Sequence, residues 1–289
     1  MAITANTNVN STIPDVVDYE LLLARYANAV ALNRVMNKTG LVNDKGDQLT
    51  VSTQDSLTGG THSSDGSFTP ETLDPDGQVI TISTWNYVAF EITDRAVKQS
   101  GADLIRSYSG AIAKREGEFI DTDILAEYAN ILPANTVGST ETPSPFDEDL
   151  ALPAMLFLAD LNIPKSSLSW FLPPIAFLDG LYKKDRWTAA NMTGLGKSVL
   201  TNGFEFPILG APAYQSTLVA TVGSVRKGIL AHREWVGAAV QINGKRRTYE
   251  GLSNNKAVTG VHSQILYGVK TIRSNHAVTV NIKAAKSTL

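Results

Sequence analysis

The sequence predicts an α+β fold on the basis of three observations. Apolar residues recur at helical spacing over long stretches of the first half of the chain. Strand-like segments crowd the last third. Between the first two helical stretches lies a long polar segment, Ser52 to Gln78, which returns through two strands. A protein that contains helices, sheets and one long polar excursion is therefore expected.

The N-terminal part of the chain is predicted to be a polar arm followed by a helix. Residues 1–15 are rich in Asn and Thr, and Asp15 can cap a helix that runs to about Met36. The apolar positions of this helix recur every three or four residues, and Gly40 lies where a C-terminal stop is expected.

The polar segment has too little apolar surface to order itself. Its large apolar residues are Leu57, Phe68 and Leu73, set among four glycines, two prolines and many Ser, Thr and Asp residues. Long loops without structure are uncommon inside compact domains and are usually functional. We therefore expect this segment to contact a neighbouring molecule. The strands that follow it are predicted at Val79–Ser83 and Tyr87–Ile92.

A long amphipathic helix is predicted from Arg95 to Leu132, ended by Pro133. It would span on the order of 55 Å at about 1.5 Å per residue. Basic residues lie in its first two thirds and acidic residues in the rest, which opposes the helix dipole. Either partner charges across an interface or internal salt bridges would explain this order.

The second half of the chain alternates helices and strands before ending in strands. Helices are predicted at Leu150–Leu161 and Ile175–Lys183, and a glycine-rich loop at Lys184–Phe204. The last two strands alternate cleanly across Ser274-Asn275, which predicts a hairpin between them. The predicted strands are Leu168–Leu172, Glu205–Leu209, Gly228–His232, Trp235–Gln241, Ser263–Thr271 and Ala277–Lys283.

Composition indicates a protein with many partners. The 289 residues are 43% hydrophobic, enough for one large or two ordinary domains, and only 18% are charged, against about 25% in typical proteins. A globular enzyme with a modest surface would have the same composition. The net charge is −3 and the densest basic run is Lys245 to Arg247, so no basic stripe for gripping nucleic acid is present.

Several classes of site and location are excluded or disfavoured. The absence of cysteine excludes disulfides, thiol catalysis and Cys-based metal sites. Residues 1–10 do not form a secretory signal, and no apolar stretch approaches the ~20 residues of a membrane span. We therefore expect a soluble protein that is intracellular at synthesis. The three Asn-x-Thr/Ser patterns, at Asn10, Asn37 and Asn191, are interpreted as chance.

No catalytic, cofactor-binding or metal-binding residue is predicted. Gly194 to Ser198 resembles part of a phosphate-binding loop, but position 191 is Asn where that motif needs Gly. Asp121 and Asp123 would point about 200° apart on a helix, so a solvated or salt-bridged helix face is predicted instead of a metal site. Lys45 is the obvious candidate for an isopeptide cross-link, and nothing identifies its partner.

The histidines (62, 232, 262 and 276) lack metal-type spacing and are expected to be ordinary surface or partly buried residues. The tryptophans (85, 170, 187 and 235) are expected to pack in cores or interfaces.

Four passages of the chain resemble successive segments of one known protein family. Residues 82–128, "ISTWNYVAFEITDRAVKQSGADLIRSYSGAIAKREGEFIDTDILAEY", resemble that family's passage from extended loop to spine helix. Residues 150–174, "LALPAMLFLADLNIPKSSLSWFLPP", are similar to its helix, turn and first axial strand. Residues 199–217 and 267–284 resemble a later axial segment and the closing peripheral hairpin. In their order and spacing, these passages resemble the major capsid proteins of tailed bacteriophages, whose Hong Kong 97-type fold also occurs in encapsulins.

The resemblance implies a division of the chain and a mode of assembly. The division is an N-terminal arm (1–15), an N-terminal helix region (16–43), an extended loop, or E-loop, with its strands (44–92), a peripheral domain with the spine helix (93–165), an axial domain (166–224) and C-terminal peripheral strands (225–289). Pentamers and hexamers would form an icosahedral head around double-stranded DNA, without sequence-specific binding. Expected partners are further copies, a scaffolding protein, a portal and a decoration protein, and no membrane. Because the arm begins at once after Met1, a separate scaffolding protein is expected.

The resemblance leaves two kinds of shell open, and the residues leave one further class. The first is a viral capsid subunit without catalysis or cofactor, found in the virion and, before assembly, in the host cytoplasm. The second is an encapsulin-like nanocompartment shell protein. The third is a soluble enzyme that uses the Gly194–Ser198 loop.

Overall fold

A computed structural model describes residues 30–42, 46–53, 59–62, 64–67, 70, 77–99, 104–183, 207–253 and 256–284. The predicted α+β class is confirmed. The helices are α1 (Asp94–Gln99), α2 (Leu104–Ala126) and α3 (Glu148–Asp160). The strands are β1 (Met36–Asn37), β2 (Gln48–Ser52), β3 (Gly77–Thr81), β4 (Thr84–Thr93), β5 (Thr136–Val137), β6 (Leu168–Leu172), β7 (Ala213–Gln215), β8 (Thr221–Val222), β9 (Val225–His232), β10 (Val236–Ser253), β11 (Lys256–Thr271) and β12 (Ala277–Lys283).

The strands form two larger sheets and one separate pair. The first sheet has the order β1-β10-β11-β4, and helix α2 packs on one of its faces. The second sheet has the order β5-β12-β9-β6-β7, with β8 beside β9, and α3 packs against β12. The antiparallel pair β2–β3 forms the base of the polar segment. Within the described residues, no helix is both long and apolar enough to cross a membrane.

The dominant element of the first sheet is a long antiparallel hairpin of β10 and β11. Its register runs from Val236 opposite Thr271 to Ser253 opposite Lys256. The sequence predicted only the two ends of these strands, Trp235–Gln241 and Ser263–Thr271. The outer half of the hairpin was missed because most of residues 243–252 are exposed on both faces, so they carry no apolar alternation.

The predicted hairpin between the last two strands is wrong. Strand β12 has the predicted bounds but pairs with β9 and β5, whereas β11 pairs with β10 and β4. The chain crosses from the first sheet to the second between them, where the N–H groups of Ile272 and Arg273 donate to the carbonyl of Trp235. Alternation predicts a strand but does not identify its partner.

Two histidines pack together at this crossing. The His232 and His276 rings lie edge to face, with 5.8 Å between their centroids. Burial lowers the pKa of both imidazoles below the ordinary value of 6.5, and the nearby Arg273 acts in the same direction while Glu234 opposes it. His232 is buried at the end of β9, and His262 lies within β11.

We expect the free energy of unfolding to fall as the pH drops from about 7.5 to about 5.5. In this window the unfolded chain binds protons at its histidines near pH 6.5, whereas the folded chain binds them only at lower pH. Urea denaturation at several pH values measures the slope. The His232→Gln/His276→Gln variant should flatten it, and His62→Gln, which alters an exposed histidine, should leave it unchanged. An unchanged slope in the double variant would contradict this assignment.

The second sheet and α3 enclose a buried core. The Asp147 side chain accepts a hydrogen bond from the N–H of Asp149 and caps α3, which begins two residues before the predicted Leu150. Strand β6 has the predicted bounds and is buried throughout. Its Trp170 contacts Phe146 edge to face at 5.4 Å and donates to the carbonyl of Ile208.

Two predicted elements around this core are corrected. The predicted helix Ile175–Lys183 is a π-helical turn, Ala176–Gly180, followed by a 3-10 turn, Leu181–Lys183. The predicted strand Glu205–Leu209 is only a bridge between Ile208 and Ala211 in its described part, because Leu209 and Gly210 turn through positive φ angles of 52° and 89°. Positive φ is incompatible with a continuing strand.

The long predicted helix, Arg95–Leu132, is shorter than expected. Helix α2 ends at Ala126 and spans about 35 Å. A 3-10 turn, Glu127–Asn130, follows it, and residues 100–103, between α1 and α2, lie outside the described residues. The core on this side of the first sheet contains Ile124, Trp235 and Tyr267.

The N-terminal helix does not reach Met36 as predicted. Leu32–Arg34 form a 3-10 turn, and β1 then pairs in parallel with β10. The predicted arm and the predicted helix up to residue 29 lie outside the described residues.

The polar segment is bounded by strands that the sequence predicted only in part. Strand β2 was missed, and β3 begins two residues before the predicted Val79, so Ser52, Gly77 and Gln78 belong to strands. Residues 59–62 and 64–67 are exposed. Leu57, Phe68 and Leu73 lie outside the described residues.

Candidate assembly surfaces

The described part of the chain does not bring together the residues that the sequence offered as candidates for a catalytic or metal site. Gly194 to Ser198, Trp187 and Lys45 lie outside the described residues. Within the described part of the chain, no three His, Asp or Glu side chains are grouped so that they could hold a metal ion. A pocket of about 570 Å³ is lined by Pro173, Leu178 and Arg226. The Arg226 guanidinium in this pocket already donates to the carbonyl of Val219.

Acidic residues of α2 and of the 3-10 turn that follows it bind other parts of the same chain. Asp123 accepts a hydrogen bond from the Tyr267 hydroxyl at 2.6 Å, and burial together with this bond raises the pKa of Tyr267. Glu127 accepts from both the N–H (3.0 Å) and the hydroxyl (2.6 Å) of Thr271. Asp121 is fully buried. The prediction that Asp121 and Asp123 do not converge is confirmed, but the predicted solvated or salt-bridged face is wrong.

Asp121 fixes the segment through which the N-terminal part of the chain enters the fold. Its Oδ2 accepts from the N–H groups of Val30 and Ala31, and its Oδ1 accepts from that of Leu32 at 3.1 Å. Burial raises the pKa of Asp121, while the three N–H donors favour the charged form and oppose that rise. This carboxylate therefore holds three successive peptide groups against α2.

Strand β3, at the base of the polar segment, packs closely against two glycines of the first sheet. A Cβ atom at Gly268 would lie 2.3 Å from the carbonyl oxygen of Thr81, and one at Gly237 would lie 2.7 Å from Cδ1 of Ile80. Ile80 is fully buried there, and the N–H of Ile82 donates to the carbonyl of Asp47 at 2.7 Å. The β2–β3 pair, which we call the root of the polar segment, is therefore fixed on the sheet, and residues 59–62, 64–67 and 70 beyond it are exposed.

On the face of the first sheet that points away from α2, β3 packs over Gly237 and Gly268, and the remainder of this face is open and partly aromatic. On β4, Trp85 and Tyr87 are each 67% exposed, whereas Asn86 between them points towards α2 and bonds to Tyr267. Tyr87 stacks on His262 of β11 at 5.7 Å. The register places Lys245 opposite Gln264 and Arg247 opposite His262 on this same side. We call the surface formed by Trp85, Tyr87, His262, Gln264, Lys245 and Arg247 the outer face.

The position of Trp85 departs from simple core packing. Trp170 and Trp235 are fully buried, as expected for core residues, but Trp85 lies on the outer face. The alternation of β4 could have indicated this, since its exposed positions carry aromatic residues where polar residues are usual.

A second apolar surface runs along α3. Leu152, Leu156, Phe157 and Leu161 recur at helical spacing on its exposed side, and Leu156 is 59% exposed. Contiguous apolar surface of this kind marks interaction sites in soluble proteins. The chain thus presents two separate surfaces of the kind found where subunits meet.

Comparison with solved structures identifies the fold. No protein-family model and no curated protein matches the sequence. A structure from Mycobacterium phage Che8 matches 93% of this chain and 96% of its own, with a TM-score of 0.73 at 18% identity. The capsid of the cyanophage P-SCSP1u matches 96% of this chain and 95% of its own, with a TM-score of 0.67 at 14% identity. The chain has the Hong Kong 97-type capsid fold. The resemblance predicted from the sequence is therefore confirmed at the level of fold.

The same fold extends beyond phages. The SrpI encapsulin of Synechococcus elongatus matches all of this chain and 99% of its own, with a TM-score of 0.61 at 10% identity.

Proposed function

We propose that this chain is the major capsid protein of a tailed double-stranded DNA phage, assembling as pentamers and hexamers into an icosahedral head. The observation that carries the proposal is the match to phage capsid structures over more than nine tenths of the chain. The exposed apolar surfaces on β4 and α3 support it, since closed shells bury many such contacts. The role is structural, without catalysis.

The proposed division of the chain follows the family's architecture. Residues 44–92 form the extended loop, residues 93–165 and 225–289 the peripheral domain, and residues 166–224 the axial domain. The second sheet joins the last two, because β6 pairs with β9. The proposed partners are further copies, a scaffolding protein, a portal and a decoration protein around enclosed DNA, first in the host cytoplasm and finally in the virion.

A second candidate function is an encapsulin-like shell around an enzyme cargo. The full-length match to the SrpI encapsulin favours it, although with a lower TM-score than the Che8 structure. Genes beside this one would separate the two, since a terminase and portal accompany a phage head and a cargo enzyme accompanies a nanocompartment.

Purified chain is expected to form closed shells, tubes or rings of five and six subunits. Negative-stain electron microscopy with light scattering on the same sample measures this. A small species should convert to shells when a scaffolding protein or crowding agent is supplied, because nucleation of a shell is then easier. A chain that stays monomeric or dimeric under all these conditions would contradict the proposed function.

A further inference from the structure

An Asn-Gly pair lies at an irregular point of the hairpin formed by β10 and β11. Asn243 and Gly244 of β10 lie across from Ile265 of β11, because the paired register skips from Ile242 to Lys245. Another register shift immediately precedes this one. The extra residue of a bulge is left unpaired and the ladder is locally disrupted. The Asn-Gly pair therefore lies outside the regular ladder that holds the flanking residues.

The backbone conformation at Gly244 suits glycine and few other residues. Its φ angle is 61°, in the left-handed region that glycine adopts without steric cost. A Cβ atom at this position would also lie 3.0 Å from Oε2 of Glu116, which is buried on α2. Because glycine has no side chain, the Gly244 nitrogen is not shielded by a Cβ atom. The fold thus favours, directly after Asn243, the residue that leaves this nitrogen most accessible.

The side chain of Asn243 is exposed to water. Together with Gln241, Lys245 and Gln264 it lines a pocket of about 440 Å³. This space allows the amide to rotate and lets water reach it. Asn281, in contrast, is buried and donates from its Nδ2 to the carbonyl of Gly138 at 2.8 Å. The two asparagines therefore differ in both access to water and freedom of the side chain.

An Asn-Gly pair in these surroundings can cyclise. The Gly244 nitrogen loses its proton and attacks Cγ of Asn243, which forms a C–N bond and expels ammonia. Water then opens the resulting succinimide at one of its two carbonyls, and the product is aspartate or isoaspartate. Both reacting atoms belong to one dipeptide, so no entropy is lost in bringing two molecules together. Water is the only reagent that the reaction consumes.

We propose that Asn243-Gly244 is a site of spontaneous deamidation in the folded subunit. The reaction places a carboxylate in the pocket beside Lys245, at the edge of the outer face. Lys245 and Arg247 are the cations of this face, so one added carboxylate offsets half of their charge. Each reacted copy becomes more acidic, and subunits therefore become heterogeneous in charge with age. The inference concerns the single chain and does not depend on the proposed function.

Mass spectrometry of aged protein tests the proposal. Purified wild type is incubated in heavy-oxygen water and digested in ordinary water, so that only conversion during the incubation introduces the heavy isotope. We expect conversion at Asn243 to exceed that at Asn281 by about tenfold or more. The rate should rise with pH, because the Gly244 nitrogen must lose its proton. Equal or slower conversion at Asn243 than at Asn281 would overturn the inference.

The same measurement on unfolded protein separates the effect of the fold from that of the sequence. Folded wild type and wild type in guanidinium are compared at the same pH. The two rates at Asn243 are expected to agree within about tenfold, because the bulge leaves the pair able to cyclise. A larger reduction in the folded state would show that the hairpin protects this pair, and the inference would then be wrong.

Two variants assign the change in charge to this residue. Both carry Asn202→Gln, which removes the second Asn-Gly pair of the sequence, and the Asn202→Gln chain is the reference. Asn243→Gln would have to close a larger ring, so it should stay homogeneous on anion exchange. Asn243→Asp has the product charge from the start and should elute with the acidic species that accumulates in the aged reference. Persistence of that species in Asn243→Gln would place the reaction at another residue and overturn the inference.

Discussion

Replacement of Asp121 by alanine is expected to lower the free energy of unfolding by about 3 kcal/mol, since hydrogen bonds to a charged group contribute about 1.5–3 kcal/mol each. The substitution removes the acceptor for three successive peptide N–H groups, those of Val30, Ala31 and Leu32. Part of the loss is offset because the buried carboxylate no longer has to be desolvated. Urea denaturation of the purified subunit measures the change.

Two control variants make the Asp121 result specific. Asp121→Asn keeps one carbonyl oxygen but directs an NH₂ group at the N–H donors, so an intermediate loss is expected. Asp160→Ala removes an exposed carboxylate at the end of α3 and should change stability little. A loss below about 0.5 kcal/mol for Asp121→Ala would show that the segment is held mainly by the apolar contacts of Ala31 and Val35.

Replacement of Gly268 by alanine is expected to destabilise the chain by about 3 kcal/mol, at the upper end of the usual range for overpacking. The new Cβ atom would lie 2.3 Å from the Thr81 carbonyl oxygen and 3.1 Å from the Ile82 Cα atom. Both are backbone atoms, so relief requires β3 to move away from the sheet. Because β3 is the root of the polar segment, assembly should fail even at temperatures where the subunit is folded.

Gly251 provides the matched control for Gly268. It lies in the same hairpin, and a Cβ atom there would meet nothing within 4 Å. Gly251→Ala should therefore leave stability and assembly close to wild type, because alanine fits a strand at least as well as glycine. Stability is measured by thermal unfolding and assembly by electron microscopy. Equal effects of the two substitutions would show that the contact with Thr81 is not responsible.

The sequence by itself determined the strands whose apolar residues follow a regular local pattern. Strands β6 and β12 were predicted with their observed bounds, because β6 is a short, mostly apolar run and large apolar residues alternate along the sequence of β12. The family's succession of passages predicted the capsid fold, which the comparisons confirm. Composition alone also predicts that the polar segment has too few apolar residues to order itself, and this stays a prediction.

Only the tertiary structure decided how these elements pair and what their polar residues do. Strand β12 pairs with β9, although its alternation is equally compatible with a hairpin to β11. Asp121 binds peptide groups some 90 residues away, so no local pattern marks it. The outer face combines Trp85 and Tyr87 with Lys245 and Arg247, which are distant in sequence and adjoin only because β4 and β10 both flank β11. Long-range pairing depends on which distant segments bury each other, and that is a property of the whole chain.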